Sequence, residues 1–401
     1  MRVKMQKFKT EYSLSYMMLL ITPLVDTANG LFLILNGATG LSLGTFYRLG
    51  LLLYFLTRGV VQKSFFQYLI TVVPVLLIGI IKGLECGELF GCITYAVKWI
   101  LPIILICYFS FVCKNKEDIF NCLQRCIDVW GWYVPISLIV EYYFNIGYTT
   151  YYDAGFKGLY YSTNDIAFVL VSLYIYVAYR LFQKISILNI VKLAAVLLAI
   201  LVLGTKSCII FSIITICYFT IKNKGFKKQN LLYITAIAVL AILVIGLVMK
   251  NEIARIVARY TNMWIYSQKS NLWDHFFMFA TSGRTDSIVP FFSQLSDSDM
   301  LSIDILFGWI IPDNAHVIEM DFHDLFCQYG IVGFLCVTLV YISLILKCKK
   351  KIQPYWFMVI VGFVYAYLAG HVISGALSGT MFAVNFSMLI LVNIQKVEND
   401  D

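Results

Sequence analysis

The longest apolar runs of this chain have the length that a membrane-crossing helix needs. Leu231–Met249 and Phe90–Val112 approach the ~20 residues that span the hydrocarbon layer of a bilayer. Neither run alternates apolar with polar residues, as the ~10-residue strands of a membrane β-barrel do. Charged residues make up 13% of the chain, against about 25% in soluble proteins. The sequence therefore predicts an all-α fold, a polytopic membrane helical bundle.

About twelve spans are predicted from these runs and from the polar segments between them. They cover residues 14–35, 43–58, 65–81, 90–112, 127–145, 162–181, 186–203, 206–221, 231–249, 325–346, 354–370 and 377–394. We expect a single integral membrane domain over residues 1–401. The only long segment without a predicted span is 250–324, between spans nine and ten.

The basic residues at the span ends predict the orientation of the bundle. Twenty lysines and arginines lie at one set of alternate span ends, whereas the short loops of the opposite set offer only Lys82, Lys157 and Lys206. Because cytoplasmic loops carry the excess of lysine and arginine, both termini are predicted to be cytoplasmic. The formal net charge of +8 therefore reflects topology, and no nucleic-acid partner is predicted.

Segment 250–324 is predicted to be a large external loop that contains short helices and the candidate site. It carries several charged residues together with Trp264, Trp273 and Trp309. Long loops on a rigid scaffold are where binding and catalytic residues concentrate. Within it, Arg255 and Arg259 have the i,i+4 spacing that puts both guanidinium groups on one helix face. They are expected either to grip phosphate or to anchor the helix at the membrane surface.

A second arginine feature of the loop is the stretch "TSGRTD". Gly283 permits a tight turn, which would present Arg284 to a site. The alternative is an arginine that is simply solvated on a loop.

Ionisable residues crowd the entry to the tenth span, in "HVIEMDFHDLF". On a continuous helix, His316, Glu319, Met320 and His323 would share one face. Three interpretations stay open. The acids could favour the positive end of a solvated helix. His316, Glu319 and His323 could hold a metal, although no further ligands of suitable spacing are evident. The cluster, with Asp321 and Asp324, could instead supply a general base or orient an acceptor.

Ionisable residues also lie inside the apolar runs, where each is a functional hypothesis because its burial in lipid is unfavourable. Arg48, Lys98 and Lys206 are predicted at similar depth in the outer half, where they could form a basic cavity for a polyanionic headgroup. The alternative is internal pairing of Arg48 with Asp26. No pair of broken helices is apparent in the sequence, which counts against a transporter.

The order of four motifs resembles the O-antigen ligase and O-antigen or capsular polysaccharide polymerase superfamily (Wzy-type). "GLYYSTNDIAFVLV" is similar to a Gly-aromatic…Asn…Ala segment of that family, with Asn164 at the Asn position. "LVLGTKSCIIFSII" resembles its Thr-x-Ser-Arg turn, with Cys208 in place of the arginine. "TSGRTDSI" resembles its Ser-Gly-Arg, and "EMDFHDLFCQYGIVGF" its entry to a Gly-x-x-Gly span. Glu319 and Met320 stand where ligase-like members carry His-Asn, which favours a polymerase.

The resemblance implies metal-independent glycosyl transfer on the outer face of a bacterial plasma membrane, with no cofactor. The implied donor is a glycan on undecaprenyl diphosphate, and the acceptor is another lipid-linked unit. Implied partners are membrane lipid, a chain-length regulator and a flippase. Glu319, then Asp321, then His323 are the candidate bases or positioning groups. The candidate diphosphate and glycan contacts are Arg284, Arg259, Arg255, Arg48, Lys206, Asn164 and Trp273. A ligase or a lipid-linked oligosaccharide flippase is the alternative.

Overall fold

The computed structural model describes residues 10–37, 42–150, 155–222, 250–268, 271–296, 300–312 and 318–398. The predicted ninth span, 231–249, and His316 lie outside these residues. The described chain is helical except for one two-stranded antiparallel ladder. The predicted all-helical bundle is therefore confirmed.

The helices and strands follow one another along the chain with short connections. The first half contains α1 (Thr10–Leu20), α2 (Thr22–Asn36), α3 (Leu43–Gly59), α4 (Lys63–Cys86), α5 (Leu89–Cys107), a π-helical turn (Tyr108–Val112) and α6 (Lys116–Tyr143). Then come β1 (Tyr148–Thr149), β2 (Phe156–Gly158), α7 (Thr163–Gln183), α8 (Ile187–Leu203) and α9 (Lys206–Lys222). The rest is α10 (Lys250–Tyr266), α11 (Leu272–Thr281), α12 (Arg284–Ser296), α13 (Leu301–Phe307), α14 (Asp321–Leu346), α15 (Tyr355–Leu368) and α16 (Leu377–Glu398).

Five described helices are long and apolar enough to cross a membrane: α4, α5 with its π-helical extension, α7, α14 and α16. The pair α1 and α2, which meet at a bend of 42°, makes a sixth if it forms one span. Helices also occupy the predicted spans at 43–58, 127–145, 186–203, 206–221 and 354–370, but each is too short or too polar to qualify alone. Several membrane-crossing helices are consistent with a multi-pass membrane protein.

Helices α7 and α16 lie at the centre of the bundle. In each, 89% of the most apolar window is buried, against 28% in α4. Helix α16 packs against α5, α6 and α7. Because α4 leaves most of its apolar residues exposed, it presents the surface that a bilayer covers.

Helix α14 is broken near its beginning. Gly330 has φ 64° and ψ −166°, which no helix can contain. The carbonyl of Cys327 therefore accepts hydrogen bonds from the backbone N–H groups of Trp309 and Ile310, at 2.9 and 3.1 Å. The Lys82 ammonium donates to the carbonyl of Gln328 at 2.9 Å. The expectation that the chain has no broken helix was wrong, because tertiary partners satisfy the freed carbonyls.

The described part of segment 250–324 forms the four short helices α10 to α13. Its end docks on α14 through a small apolar cluster of Ile310, Ile318, Met320 and Cys327. Backbone contact is also direct: a Cβ at Gly308 would lie 2.4 Å from the carbonyl carbon of Gln328, and one at Gly330 would lie 2.3 Å from that of Leu306. The segment is therefore anchored where α14 breaks.

Candidate functional site

An ion pair between Arg284 and Glu319 lies at the N-terminal mouth of α14. The Arg284 Nη2 donates to Glu319 Oε2 at 2.6 Å, and its Nε donates to the same oxygen at 3.3 Å. Ser282 and Gly283, with φ 60° and 82°, form the turn from which α12 begins with Arg284. The Glu319 side chain is 43% exposed, whereas that of Arg284 is 11% exposed. The carboxylate thus remains accessible to a ligand while the guanidinium holds it.

Glu319 is not on a helix, so the predicted shared helix face with Met320 and His323 was wrong. Helix α14 begins only at Asp321, and Glu319 has a left-handed φ of 64°. The reason is the buried Asp324, whose carboxylate accepts the N–H groups of Ile318 at 2.6 Å and Met320 at 3.1 Å. These bonds satisfy backbone donors that a continuous helix would have used itself.

Glu319 is ionised at neutral pH. Burial alone would raise its pKa, but the adjacent Arg284 charge and hydrogen bonds, helped by His371 and Lys157, outweigh that effect. The net result is a pKa lowered from the ordinary value of 4.5. A carboxylate in this state can orient a hydroxyl or stabilise positive charge.

The structure gives Asp321 a structural role and removes it as a candidate base. Its buried carboxylate accepts three backbone N–H groups, of His371, Val372 and Ile373, each at 2.8 Å, and the Ser374 hydroxyl at 2.7 Å. Both oxygens are therefore occupied, and the side chain is fully buried. We call residues 369–376 the clamped loop.

Two residues of α7 hold the clamped loop from the other side. The Asn164 amide donates to the carbonyl of Ala369 at 2.8 Å. Asp165 accepts the N–H groups of Leu377, at 3.2 Å, and Ser378, where α16 begins. Asn164, predicted to contact substrate, thus spends a donor on the backbone instead.

Three of the predicted cations converge beside Glu319. The Lys206 ammonium donates to the carbonyl of Phe279 and lies 4.5 Å from that ring. The charges of Arg284 and Arg259 both act on Lys206. The Tyr260 hydroxyl donates to the carbonyl of Gly204 at 2.6 Å, which fixes α10 on the turn that precedes Lys206.

Arg48 belongs to a different place, so the predicted cavity of three cations is divided. Arg48 and Lys98 line a cavity with Thr45 and Thr94. The cavity leaves the centre of a water-sized sphere about 30 Å³, which is room for a few waters and not for a sugar. Arg48 is also paired with Asp26, as the alternative expectation had it.

The remaining predicted residues lie at the edge of this arrangement. Arg255 is exposed whereas Arg259 is half-buried, so the two do not present equivalent guanidinium groups. Trp273 is 69% exposed. His323 is half-buried, with a buried Nδ1 that has no hydrogen-bond partner, and its ring lies 5.7 Å from that of Tyr367.

His371 is the residue that the sequence analysis missed. It is half-buried in the clamped loop, with a left-handed φ of 53°. The charges of Asp321 and Glu319 both act on it. The only signal in the sequence is the stretch "AGHVISGALSG", whose glycines and serines are typical of a non-helical connection.

Among the described residues, no group of three or more His, Cys, Asp or Glu side chains could hold a metal ion. No family model, curated protein or solved structure matches the chain.

Proposed function

We propose that this protein is a membrane glycosyltransferase that joins oligosaccharide repeat units carried on undecaprenyl diphosphate. The reaction takes place on the outer face of a bacterial plasma membrane, without a metal or cofactor. The chain crosses that membrane about twelve times, with both termini in the cytoplasm and residues 250–324 outside. Membrane lipid, a flippase that delivers the units and a chain-length regulator are the expected partners.

The observation that carries the proposal is the Arg284–Glu319 pair at the mouth of an apolar helix. A diphosphate leaving group needs preorganised cations where its negative charge develops. Arg284, with Lys206 and Arg259 close by, supplies them. Glu319 supplies an accessible carboxylate to orient the attacking hydroxyl. A polyprenyl chain would reach this site laterally through the lipid, which accounts for charged groups at the entrance of a hydrophobic span.

The broken helix α14 and the bent pair α1–α2 favour one competing function, a lipid-linked oligosaccharide flippase. Discontinuous helices commonly form the substrate sites of transporters. They do not require an ion pair with an accessible carboxylate at the outer mouth, and for this reason we prefer the transferase. A ligase that moves finished glycan to another acceptor would use the same chemistry and differs only in its acceptor.

The test is the state of the glycan in cells that carry Arg284→Ala. We expect lipid-linked single repeat units to accumulate on the outer face, because the leaving diphosphate loses its main cation. Arg58→Ala, which removes an exposed arginine at the other end of α3, is the matched control and should leave polymer length unchanged. Full-length polymer remaining on its lipid carrier would indicate a ligase. Units trapped on the cytoplasmic face would indicate a flippase.

A further inference from the structure

The proposed transfer releases a proton that Glu319 is poorly suited to take. The acceptor hydroxyl forms a bond to the anomeric carbon, the bond from that carbon to the diphosphate oxygen breaks, and the diphosphate leaves with the electron pair. The hydroxyl proton then needs an acceptor. Glu319 is bound to Arg284 and its pKa is lowered, which makes it a weak base at neutral pH. Asp321 is saturated by four hydrogen bonds.

The clamped loop brings His371 next to Glu319. A Cβ on Gly370 would lie 2.1 Å from the Glu319 carbonyl oxygen, so the two backbones are in direct contact. The backbone of His371 is fixed at both ends: its N–H donates to Asp321 at 2.8 Å, and its carbonyl accepts the Ser378 hydroxyl at 2.6 Å. Among the described residues, no hydrogen bond occupies the imidazole itself.

The groups that face His371 suit a base that becomes positively charged during the reaction. Asp321 from α14, Glu319 from the preceding segment and Asp165 from α7 are acidic, and Lys98 from α5 is basic. Burial lowers the pKa of His371 from its ordinary value of 6.5, against the raising effect of the carboxylates. The ring is therefore neutral at pH 7, and the imidazolium formed on proton uptake lies beside carboxylates that stabilise it.

We propose that His371 is the general base of the transfer and that Glu319 orients the attacking hydroxyl and stabilises the resulting imidazolium. The inference rests on the proposed glycosyl transfer. It changes the residue that takes the proton from the one favoured by sequence alone.

The first test uses His371→Asn, because asparagine tolerates a left-handed φ better than most residues. Membranes that contain the full-length protein would be supplied with lipid-linked repeat units extracted from cells lacking the gene, and polymer length followed with time. We expect the rate to fall by about 10²–10⁴-fold, at an unchanged amount of protein in the membrane. In the parent protein the rate should fall as the pH drops through the pKa of His371, below 6.5. The variant should lack this acid limb.

The second test separates proton transfer from loop structure. His371→Gly keeps the left-handed φ without strain and leaves space for a free imidazole. We expect added imidazole to restore part of the rate in this variant and none in Arg284→Ala. The inference is overturned if His371→Asn keeps the parental rate and acid limb, if imidazole restores nothing, or if His323→Asn is the variant that loses the limb. In each of those cases a polymerisation defect in Arg284→Ala would still support the transferase.

Discussion

Two residues of the candidate site hold a backbone conformation that their side chains disfavour. Glu319 and His371 are not glycines, yet both have left-handed φ values of 64° and 53°. Such residues cost about 1–3 kcal/mol each and persist where the surroundings over-determine them. Here the surroundings are two buried carboxylates, Asp324 under Glu319 and Asp321 under His371. The strain and its supports meet at one place, as is typical of functional sites.

We expect Asp324→Ala to destabilise the protein by about 2–4 kcal/mol, because two buried N–H groups lose their acceptor. Polymer formation should fall as well, since Glu319 would no longer be held. Thermal unfolding in detergent micelles and polymer length in cells are the measurements. Asp274→Ala, which removes an exposed carboxylate in the first turn of α11, should shift the unfolding midpoint little. Equal midpoints for the two variants would contradict the role given to Asp324.

Residue types could be predicted from the sequence, but their partners could not. The motif "TSGR" identified Arg284, and the acidic cluster identified Glu319, yet 35 positions separate the two ends of that ion pair. The helix pattern across residues 316–324 misled the analysis, because Asp324 competes with the helix for its own backbone donors. Asp321 looked catalytic because its partners, residues 371–374, are distant in sequence.

At the scale of the elements, the break in α14 and the end of segment 250–324 form one unit. Lys82 on α4 donates to the carbonyls of both Ile310 and Gln328, at 2.9 Å each. One ammonium group therefore connects three parts of the chain at the break. Gly308 and Gly330 allow the two backbones to touch.

We expect Gly330→Ala to destabilise the protein by at least about 2 kcal/mol. The left-handed φ alone costs an alanine about 1–2 kcal/mol, and the new Cβ would lie 2.3 Å from the Leu306 carbonyl carbon. Gly50→Ala is the matched control, because Gly50 lies inside α3 with nothing within 4 Å of its added Cβ. That change should stabilise the helix by about 0.5–1 kcal/mol. Thermal unfolding midpoints with opposite signs of change would support this assignment, and two similar shifts would refute it.

Helices could be predicted wherever a long apolar run has polar ends, as in α4, α7 and α16. The break at Gly330 could not, because "CQYGIVGF" reads as a continuous apolar helix. Its conformation depends on acceptors and donors from Lys82, Trp309 and Ile310. Boundaries set by local sequence were thus predictable, and those set by tertiary hydrogen bonds were not.

At the scale of the whole molecule, the orientation predicted from basic residues can be tested with a native thiol. Cys86 is free and exposed at the end of α4, which the charge bias predicts to be the outer end. On intact cells a membrane-impermeant maleimide should label the protein, and Cys86→Ser should remove most of the label. Cys217, exposed on the side of α9, should stay unlabelled if lipid covers it. Labelling of Cys86 only after permeabilisation would reverse the proposed orientation.

The clamped loop and α16 have a consequence for the timing of synthesis. The ribosome makes these residues last, yet α16 occupies the centre of the bundle between α5, α6 and α7. Earlier helices must therefore wait in the membrane with their inner faces unfilled until the final span arrives. Asp165 and Asp321 meet their backbone partners only at that moment. A nascent chain is thus inactive up to its last insertion event, and truncation before residue 369 leaves a protein without a site.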